Sequence, residues 1–107
     1  MKVIINKWIP FKGFLAMNFF GLIFVRSEEA EFFDARVENH EAIHTAQMKE
    51  LLWVFYYLLY ILEWLFLLLR YRNSDKAYMN ISFEKEVYNN ETNFEYLKSR
   101  KHYSQWR

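Results

Sequence analysis

Two adjoining stretches decide the fold: residues 40–50, HEAIHTAQMKE, and residues 51–69, LLWVFYYLLYILEWLFLLL. The first stretch consists mostly of good helix formers without Gly or Pro, and it predicts a helix that begins near residues 35–38. The second stretch is apolar all round and has Glu63 as its only charge, which is typical of a helix buried on every side or facing lipid. We therefore expect an HExxH helix and a long hydrophobic helix within residues 36–71.

The segment before these helices predicts short β-strands. Residues 1–26 include the β-branched run Val3–Ile5 and the apolar run Gly21–Val25, and we expect a turn near residues 10–13. Lysines before an apolar run would also suit a secretory signal, but the sequence Arg-Ser-Glu-Glu at residues 26–29 lacks a small-residue cleavage pattern. The strand interpretation is therefore preferred, with no cleavable signal peptide.

Two polar segments, residues 27–36 and 73–80, are expected to be loops. A final helix is expected over residues 82–100, with Ser82 as its cap and glutamates in its first turn. The chain therefore predicts a single α+β domain over residues 1–107. In this domain a small N-terminal β-hairpin or sheet precedes the HExxH helix, the long hydrophobic helix and the C-terminal helix.

Composition excludes several functional classes. The chain of 107 residues has no cysteine, which excludes disulfides, thiolate zinc sites and cysteine catalysis. The net charge of +1 argues against nucleic acid as a partner. Hydrophobic residues make up 53% of the chain, so a chain this small needs a dense core or a lipid boundary.

The spacing of two histidines indicates a metal site. On a helix, His40 and His44 lie on one face, one turn apart, where both imidazoles can reach a single zinc ion. Glu41 points aside and can reach a water on the metal, whose pKa zinc lowers towards about 7. Glu41 is therefore the candidate catalytic base, which accepts that proton and later passes it to a leaving amine.

Two histidines do not complete a catalytic zinc site, which needs a third protein ligand and an open position for water. His102 is the chain's other histidine and lies near the C-terminus, so it is a poor candidate. The segment Phe83–Tyr88 is a better source, because Glu84 or Glu86 on a second helix would complete a His-His-Glu set. Glutamates in a first helical turn also stabilise a helix without any metal.

Other polar residues of the central stretches have two interpretations each. Gln47 shares the helix face of the two histidines and is either a hydrogen-bond partner of the site or a solvated side chain. Glu63 needs a partner in its apolar surroundings, either in an ion pair with Arg36 or Arg70 or near the metal. The large aromatic residues of the same stretch are expected in the core or at a membrane interface: Trp53, Tyr56, Tyr57, Tyr60 and Trp64.

The order of these motifs resembles the gluzincin class of metallopeptidases, in which a helix with a ligand glutamate follows the HExxH helix. Many gluzincins carry this glutamate in a Glu-x-x-Ala-Asp pattern. In this chain Glu84 takes the ligand position, while Val87 and Tyr88 replace the Ala and the Asp. The resemblance therefore implies His40, His44 and Glu84 as zinc ligands, with Glu86 as the alternative to Glu84.

A second resemblance covers residues 39–97. The HExxHxxQ segment that ends at Gln47, the Tyr60-x-x-Glu63 pair, the segment Ile81–Glu84 and Tyr96-Leu97 are similar to a group of short uncharacterised bacterial proteins. This resemblance implies no particular substrate.

The metal site and a membrane span conflict with each other. As one helix, residues 51–69 would be about 28 Å long, just enough to cross a bilayer. His44 and Glu84 would then lie on opposite sides, and the polar residues 70–84 would have to return through lipid. A site that uses Glu84 therefore implies a buried helix, a bent pair of helices, or a helix that lies against the membrane.

The preferred function is a zinc-dependent metallopeptidase that acts on a peptide or protein, in the cytoplasm or at a membrane. The large apolar surface should be covered by a membrane surface or by a homo-oligomer. The alternatives are a protein with a non-catalytic zinc site and a small membrane-associated structural protein. The sequence does not rank Tyr78, Tyr88 and His102 as groups that would stabilise an oxyanion.

Overall fold

The computed structural model describes residues 2–10 and 14–106. It confirms the α+β class, with 62% of the described residues helical and 14% in strands. The elements in chain order are strands β1 (Lys2–Asn6), β2 (Ala16–Phe19) and β3 (Leu22–Arg26), a 3-10 helix (Ser27–Phe32), helices α1 (Ala35–Glu50), α2 (Val54–Tyr71), α3 (Ser74–Asn80), α4 (Ser82–Asn90) and α5 (Tyr96–Ser99), and a last 3-10 helix (Ser104–Trp106). The turn expected at residues 10–13 lies, apart from Pro10, outside the described residues.

The three strands form one sheet in the order β1-β3-β2, in which β1 is parallel and β2 antiparallel to β3. The β2–β3 hairpin turns at Phe20 and Gly21, whose φ angles are 53° and 88°. Two positive φ angles suit a tight hairpin turn, because its twist then matches that of the strands. A Cβ at residue 21 would also lie 3.3 Å from the Trp53 ring, which is a tight contact, so glycine suits this position on both counts.

Helix α1 begins where the sequence predicts it. Asp34 caps the helix, since its side chain accepts a hydrogen bond of 3.0 Å from the backbone N–H of Val37. Helices α1 and α2 are separated by a break at residues 51–53, where Leu52 and Trp53 have φ angles of 54° and 63°. The two predicted helices are therefore present as separate helices on either side of this break, and the hydrophobic stretch forms one helix from Val54 rather than a bent pair.

Helix α3 corrects the expectation of a loop at residues 73–80. The Asn73 side chain accepts a hydrogen bond of 2.9 Å from the backbone N–H of Lys76, and Ala77 is fully buried against α2. This seven-residue helix is too short to show a periodic pattern, and packing on α2 stabilises it. The loop expected at residues 27–36 is also corrected, because its first part is the 3-10 helix.

The C-terminal helix is shorter than the expected range of 82–100, because α4 ends at Asn90. A turn follows, in which the backbone N–H of Asn93 donates to the carbonyl of Asn90, and α5 is a separate short helix. Ser82 is not a side-chain cap. Its backbone N–H and its hydroxyl both donate to the Glu63 carboxylate, so Glu63 caps α4 and the expected ion pair of Glu63 is wrong.

Helix α2 has an inner face that packs on the domain and an outer face that does not. The outer face of α2 consists of apolar side chains that are 36–79% exposed: Val54, Phe55, Leu58, Leu59, Ile61, Leu62, Leu65, Phe66 and Leu69. Among the described residues, this is the one helix that is long and apolar enough to cross a membrane, with a mean hydropathy of 1.5. Only 11% of its residues are buried, unlike a helix in the core of a soluble protein.

Candidate metal centre

Helices α1 and α4 bring three of the predicted site residues together. The Nε2 atom of His44 lies 3.1 Å from Oε1 of Glu84, and Nε2 of His40 lies 3.9 Å from the same oxygen. All three candidate ligand atoms lie within 4.8 Å of one another. This His-His-Glu group could therefore hold a metal ion.

Gln47 fixes the orientation of His44. The amide nitrogen of Gln47 donates to the carbonyl of Phe83 at 3.0 Å and to the carboxylate of Glu86 at 2.9 Å. Its amide oxygen must therefore face His44, where it lies 2.8 Å from Nδ1. Nδ1 thus carries the proton that donates to Gln47, and Nε2 remains available for a metal. The sequence expectation of a hydrogen-bonding Gln47 is confirmed.

Glu91 fixes the orientation of His40 in the same way. A carboxylate oxygen of Glu91 lies 2.7 Å from Nδ1 of His40 and accepts its proton, while the other accepts from Arg36 at 2.9 Å. The Asn39 side chain donates to the backbone carbonyls of residues 90, 91 and 93, which holds this turn against α1. Both histidines therefore direct Nε2 towards Glu84.

Glu84 is held by a tyrosine as well as by the histidines. The Tyr60 hydroxyl donates to Oε2 of Glu84 at 2.6 Å, so Oε1 is the oxygen that faces the two imidazoles. Burial raises the pKa of Glu84, but hydrogen bonds from His44 and Tyr60 and the charge of His44 outweigh it and leave this pKa below its usual range. The carboxylate therefore stays ionised.

The ligand atoms of His40, His44 and Glu84 are electron-rich and lie close together, so a positive charge between them would be stabilised. If Nδ1 of each histidine carries the proton, two Nε2 lone pairs and one carboxylate oxygen face the same point. A proton on Nε2 of His44 would supply part of this charge. Burial lowers the pKa of His44, but the hydrogen bond to Glu84 outweighs burial and raises this pKa. Two imidazoles and a carboxylate are also a donor set that suits zinc, so the residues present fit the expected ion.

Glu41 lies beside this group on α1 and lines the same pocket, whose volume is about 290 Å³. Burial raises the pKa of the Glu41 carboxyl, and the nearby histidines oppose this rise. The backbone carbonyl of Glu41 accepts a hydrogen bond of 3.0 Å from Asn18 of β2. This contact positions the sheet against α1 at the site.

Strand β2 and helix α3 form the other walls of the pocket. Ala16, Met17 and Asn18 line it from β2, which is the edge of the sheet next to the site. Tyr78 lines it from α3, and its hydroxyl lies 2.9 Å from that of Tyr88. Burial raises the pKa of Tyr78, so its phenol stays protonated.

Two candidate ligands lie elsewhere. Glu86 turns away from the histidines and forms a buried ion pair with Arg100, although it lies near Glu84 in sequence. Arg100 also pairs with Glu50 at 3.0 Å, which ties the C-terminal segment to α1 and α4. The His102 side chain is 86% exposed and lies 3.1 Å from Glu50, outside the group.

Four residues at the site are not predicted as such. The sequence predicts the tyrosines of α2 in the core or at a membrane interface, but the Tyr60 hydroxyl donates to Glu84, and the Tyr56 hydroxyl lies 3.2 Å from Nδ1 of His44. Glu91 and Asn18 are also missed. The Tyr60-x-x-Glu63 spacing was the only sequence signal that pointed to any of them.

Comparison with protein-family models, with curated proteins and with solved structures gives no match for this chain.

Proposed function

We propose that the protein is a zinc-dependent metallopeptidase in which His40, His44 and Glu84 bind the ion. The observation that carries the proposal is the shared direction of the three ligand atoms, which lie within 4.8 Å of one another. Each of these residues has a further partner that fixes it: Glu91 for His40, Gln47 for His44 and Tyr60 for Glu84. Such outer partners are typical of metal sites, because they fix the tautomer and orientation of the ligands.

The number of ligands favours catalysis over a structural role. Structural zinc sites are usually closed by four protein ligands, whereas catalytic sites keep one position open. Within residues 2–10 and 14–106, the group found contains three such ligands, and Glu86 and His102 are engaged elsewhere. The open side faces a pocket that Glu41 also lines.

When bound, zinc would polarise a substrate carbonyl and acidify water in the pocket. Glu41 is the residue placed to take a proton from that water and to return it to the amine that leaves the cleaved bond. Tyr78 also lines the pocket and stays protonated, so it is a candidate donor to the oxyanion that forms on the carbonyl.

Strand β2 suggests the class of substrate. An edge strand offers backbone N–H and C=O groups to an extended peptide, which can pair with it as an added strand. The carbonyl of Asn18 already accepts a hydrogen bond from the Tyr57 hydroxyl, so Ala16 and Met17 are the β2 residues of the pocket that would border the bound peptide. The pocket is small, so we infer that few substrate side chains are recognised.

Hydrolysis of a mixture of short peptides by the zinc-loaded protein, followed by mass spectrometry, tests the proposal. We expect cleavage by the wild type and a loss of at least about 100-fold in Glu41→Gln with zinc retained. The matched control is Glu38→Gln, an exposed glutamate on the same helix, which should keep wild-type activity.

Two outcomes would contradict this proposal. If the wild type binds zinc but cleaves no peptide, the site is structural. If Glu41→Gln and the wild type cleave equally, Glu41 is not the base.

A further inference from the structure

Helix α2 has its polar and apolar sides reversed relative to a helix on the surface of a soluble protein. Its inner face carries the hydrogen-bonding groups, since Tyr60 donates to Glu84 and Glu63 accepts from Ser82. The outer face of α2 contains only Val, Leu, Ile and Phe side chains. A soluble surface helix shows the opposite arrangement, with charged and polar groups outward.

The size of the outer face exceeds that of ordinary exposed apolar patches. Leu58, Ile61, Leu62 and Phe66 are each 50–63% exposed, and the face continues to Leu69 at 79%. With about 150–200 Å² for each side chain, the exposed apolar area is on the order of 800 Å². The largest patch on a typical monomer is about 300–600 Å², so the size of this face is typical of an interaction site for a protein or a membrane.

The chemistry of the face favours lipid over a second protein chain. Protein interfaces carry about one hydrogen bond per 100–200 Å² and are enriched in Tyr, Trp, Phe, Met and Arg, of which the outer face of α2 contains only Phe. The outer face of α2 offers no hydrogen-bonding side chain, whereas hydrocarbon tails require none. The hairpin turn extends the face at the start of α2, because the half-exposed Phe20 lies 6.2 Å from the Trp53 ring and 5.0 Å from that of Tyr57.

Charge at the end of α2 matches a lipid headgroup layer. The exposed residues Arg70, Arg72 and Lys76 follow the apolar face, and Asp75 is the acidic residue among them. Arg70 and Lys76 lie 5.4 and 4.7 Å from the centre of the Tyr71 ring, which groups these cations at one end of the face. Basic residues beside an inserted apolar surface are attracted to anionic lipids.

The packing of α2 determines how the helix meets the bilayer. Its inner face contacts Ala77, Ile81 and Phe83, so lipid cannot surround the helix as it would surround a membrane span. Helix α3 packs beside its second half with exposed Asp75 and Lys76, which would not enter hydrocarbon. The helix must therefore lie in the plane of the surface.

We propose that the outer face of α2 attaches the protein to one leaflet of a bilayer that contains anionic lipid. The apolar side chains enter the boundary between headgroups and acyl chains, while Arg70 and Arg72 contact phosphate groups. This attachment does not depend on whether the metal centre is catalytic.

Flotation of the purified full chain with lipid vesicles tests this proposal. Vesicles of phosphatidylcholine alone are compared with vesicles that also contain phosphatidylglycerol. The double variant Leu62→Gln, Phe66→Gln should reduce partitioning at least about tenfold, because it removes two adjacent apolar side chains from the face. Both residues are more than half exposed, so the variant should fold normally, which circular dichroism will check.

The matched control is Ile5→Gln, Phe94→Gln, whose side chains are 60% and 56% exposed and do not belong to this face. It should float as the wild type does. Arg70→Gln, Arg72→Gln should lose about fivefold or more in partitioning on anionic vesicles and little on neutral ones. If the wild type does not float, the proposal is wrong, and a dimer that Leu62→Gln, Phe66→Gln dissociates would identify a second copy of this chain as the occupant. Equal loss in the control variant would also overturn it.

Discussion

Removal of a single oxygen atom from Tyr60 should weaken the metal centre while leaving the fold in place. The Tyr60 hydroxyl donates to Oε2 of Glu84 at 2.6 Å, and no other element of the ligand set depends on it. In Tyr60→Phe the ring still packs against Phe83, at a centroid distance of 6.1 Å in the wild type. Glu84 then lacks the partner that directs Oε1 towards the histidines.

The expected size of the effect follows from the kind of hydrogen bond lost. A hydrogen bond to a charged group contributes about 1.5–3 kcal/mol, and loss of an outer partner typically weakens metal binding about 10–100-fold. The hydrogen bond from Tyr60 to Glu84 is already present without metal, so Tyr60→Phe loses it in both states and part of its effect cancels. We therefore expect the lower end, about tenfold in zinc affinity, or roughly 1.4 kcal/mol.

Competition with a chelating dye measures this change, with Tyr57→Phe as the matched control. Tyr57 lies on the same helix, and its hydroxyl donates to the backbone carbonyl of Asn18 at 3.2 Å instead of to a ligand. The control should keep wild-type zinc affinity even if its stability falls. Wild-type affinity in Tyr60→Phe, or an equal loss in both variants, would refute the assigned role of Tyr60.

Two further predictions concern Gln47, which contacts the candidate ligand His44, and Arg100, which contacts Glu86 beside Gln47. Gln47→Leu should lower the free energy of unfolding by about 2–4 kcal/mol, because the buried carbonyl of Phe83, the carboxylate of Glu86 and the imidazole of His44 each lose a hydrogen bond. It should also weaken zinc binding about tenfold or more, as seen by dye competition. Arg100→Gln should destabilise the chain by about 3 kcal/mol in urea titration, because it leaves Glu86 buried without its cation. Burial raises the pKa of Glu86, but hydrogen bonds from Arg100 and Gln47 outweigh it and lower this pKa. The resulting stability is present above about pH 4.3 and lost as the pH falls through the folded-state pKa, so Arg100→Gln should flatten the acid limb of the stability curve. Unchanged stability or an unchanged acid limb would contradict the role of this cluster.

The helices around the site could be predicted because their signals are local. The start of α1 depends on a run of helix formers and a capping residue, and the extent of α2 depends on an uninterrupted apolar run. Helix α3 and the end of α4 could not be predicted in this way. The first depends on packing against α2, and the second depends on a polar turn whose contacts come from Asn39, far away in sequence.

The residues of the site also differ in whether a local sequence pattern marks them. His40, Glu41 and His44 follow from their spacing on one helix, and a resemblance pointed to Glu84. The role of Glu91 has no sequence signal and that of Tyr60 has only the Tyr60-x-x-Glu63 spacing, because each residue acts across a long stretch of chain through the tertiary fold. Nothing in a single sequence shows that a glutamate in a turn will meet an imidazole on another helix.

The proposed metal centre consists of one zinc ion held by His40, His44 and Glu84. Elemental analysis of the purified chain tests it most directly, with His44→Ala and Glu84→Gln as ligand variants and His102→Ala as the matched histidine control. We expect about one zinc per chain in the wild type and in His102→Ala, and sharply less in both ligand variants. A wild type without zinc, or zinc content that is indifferent to His44 and Glu84, would contradict the claim.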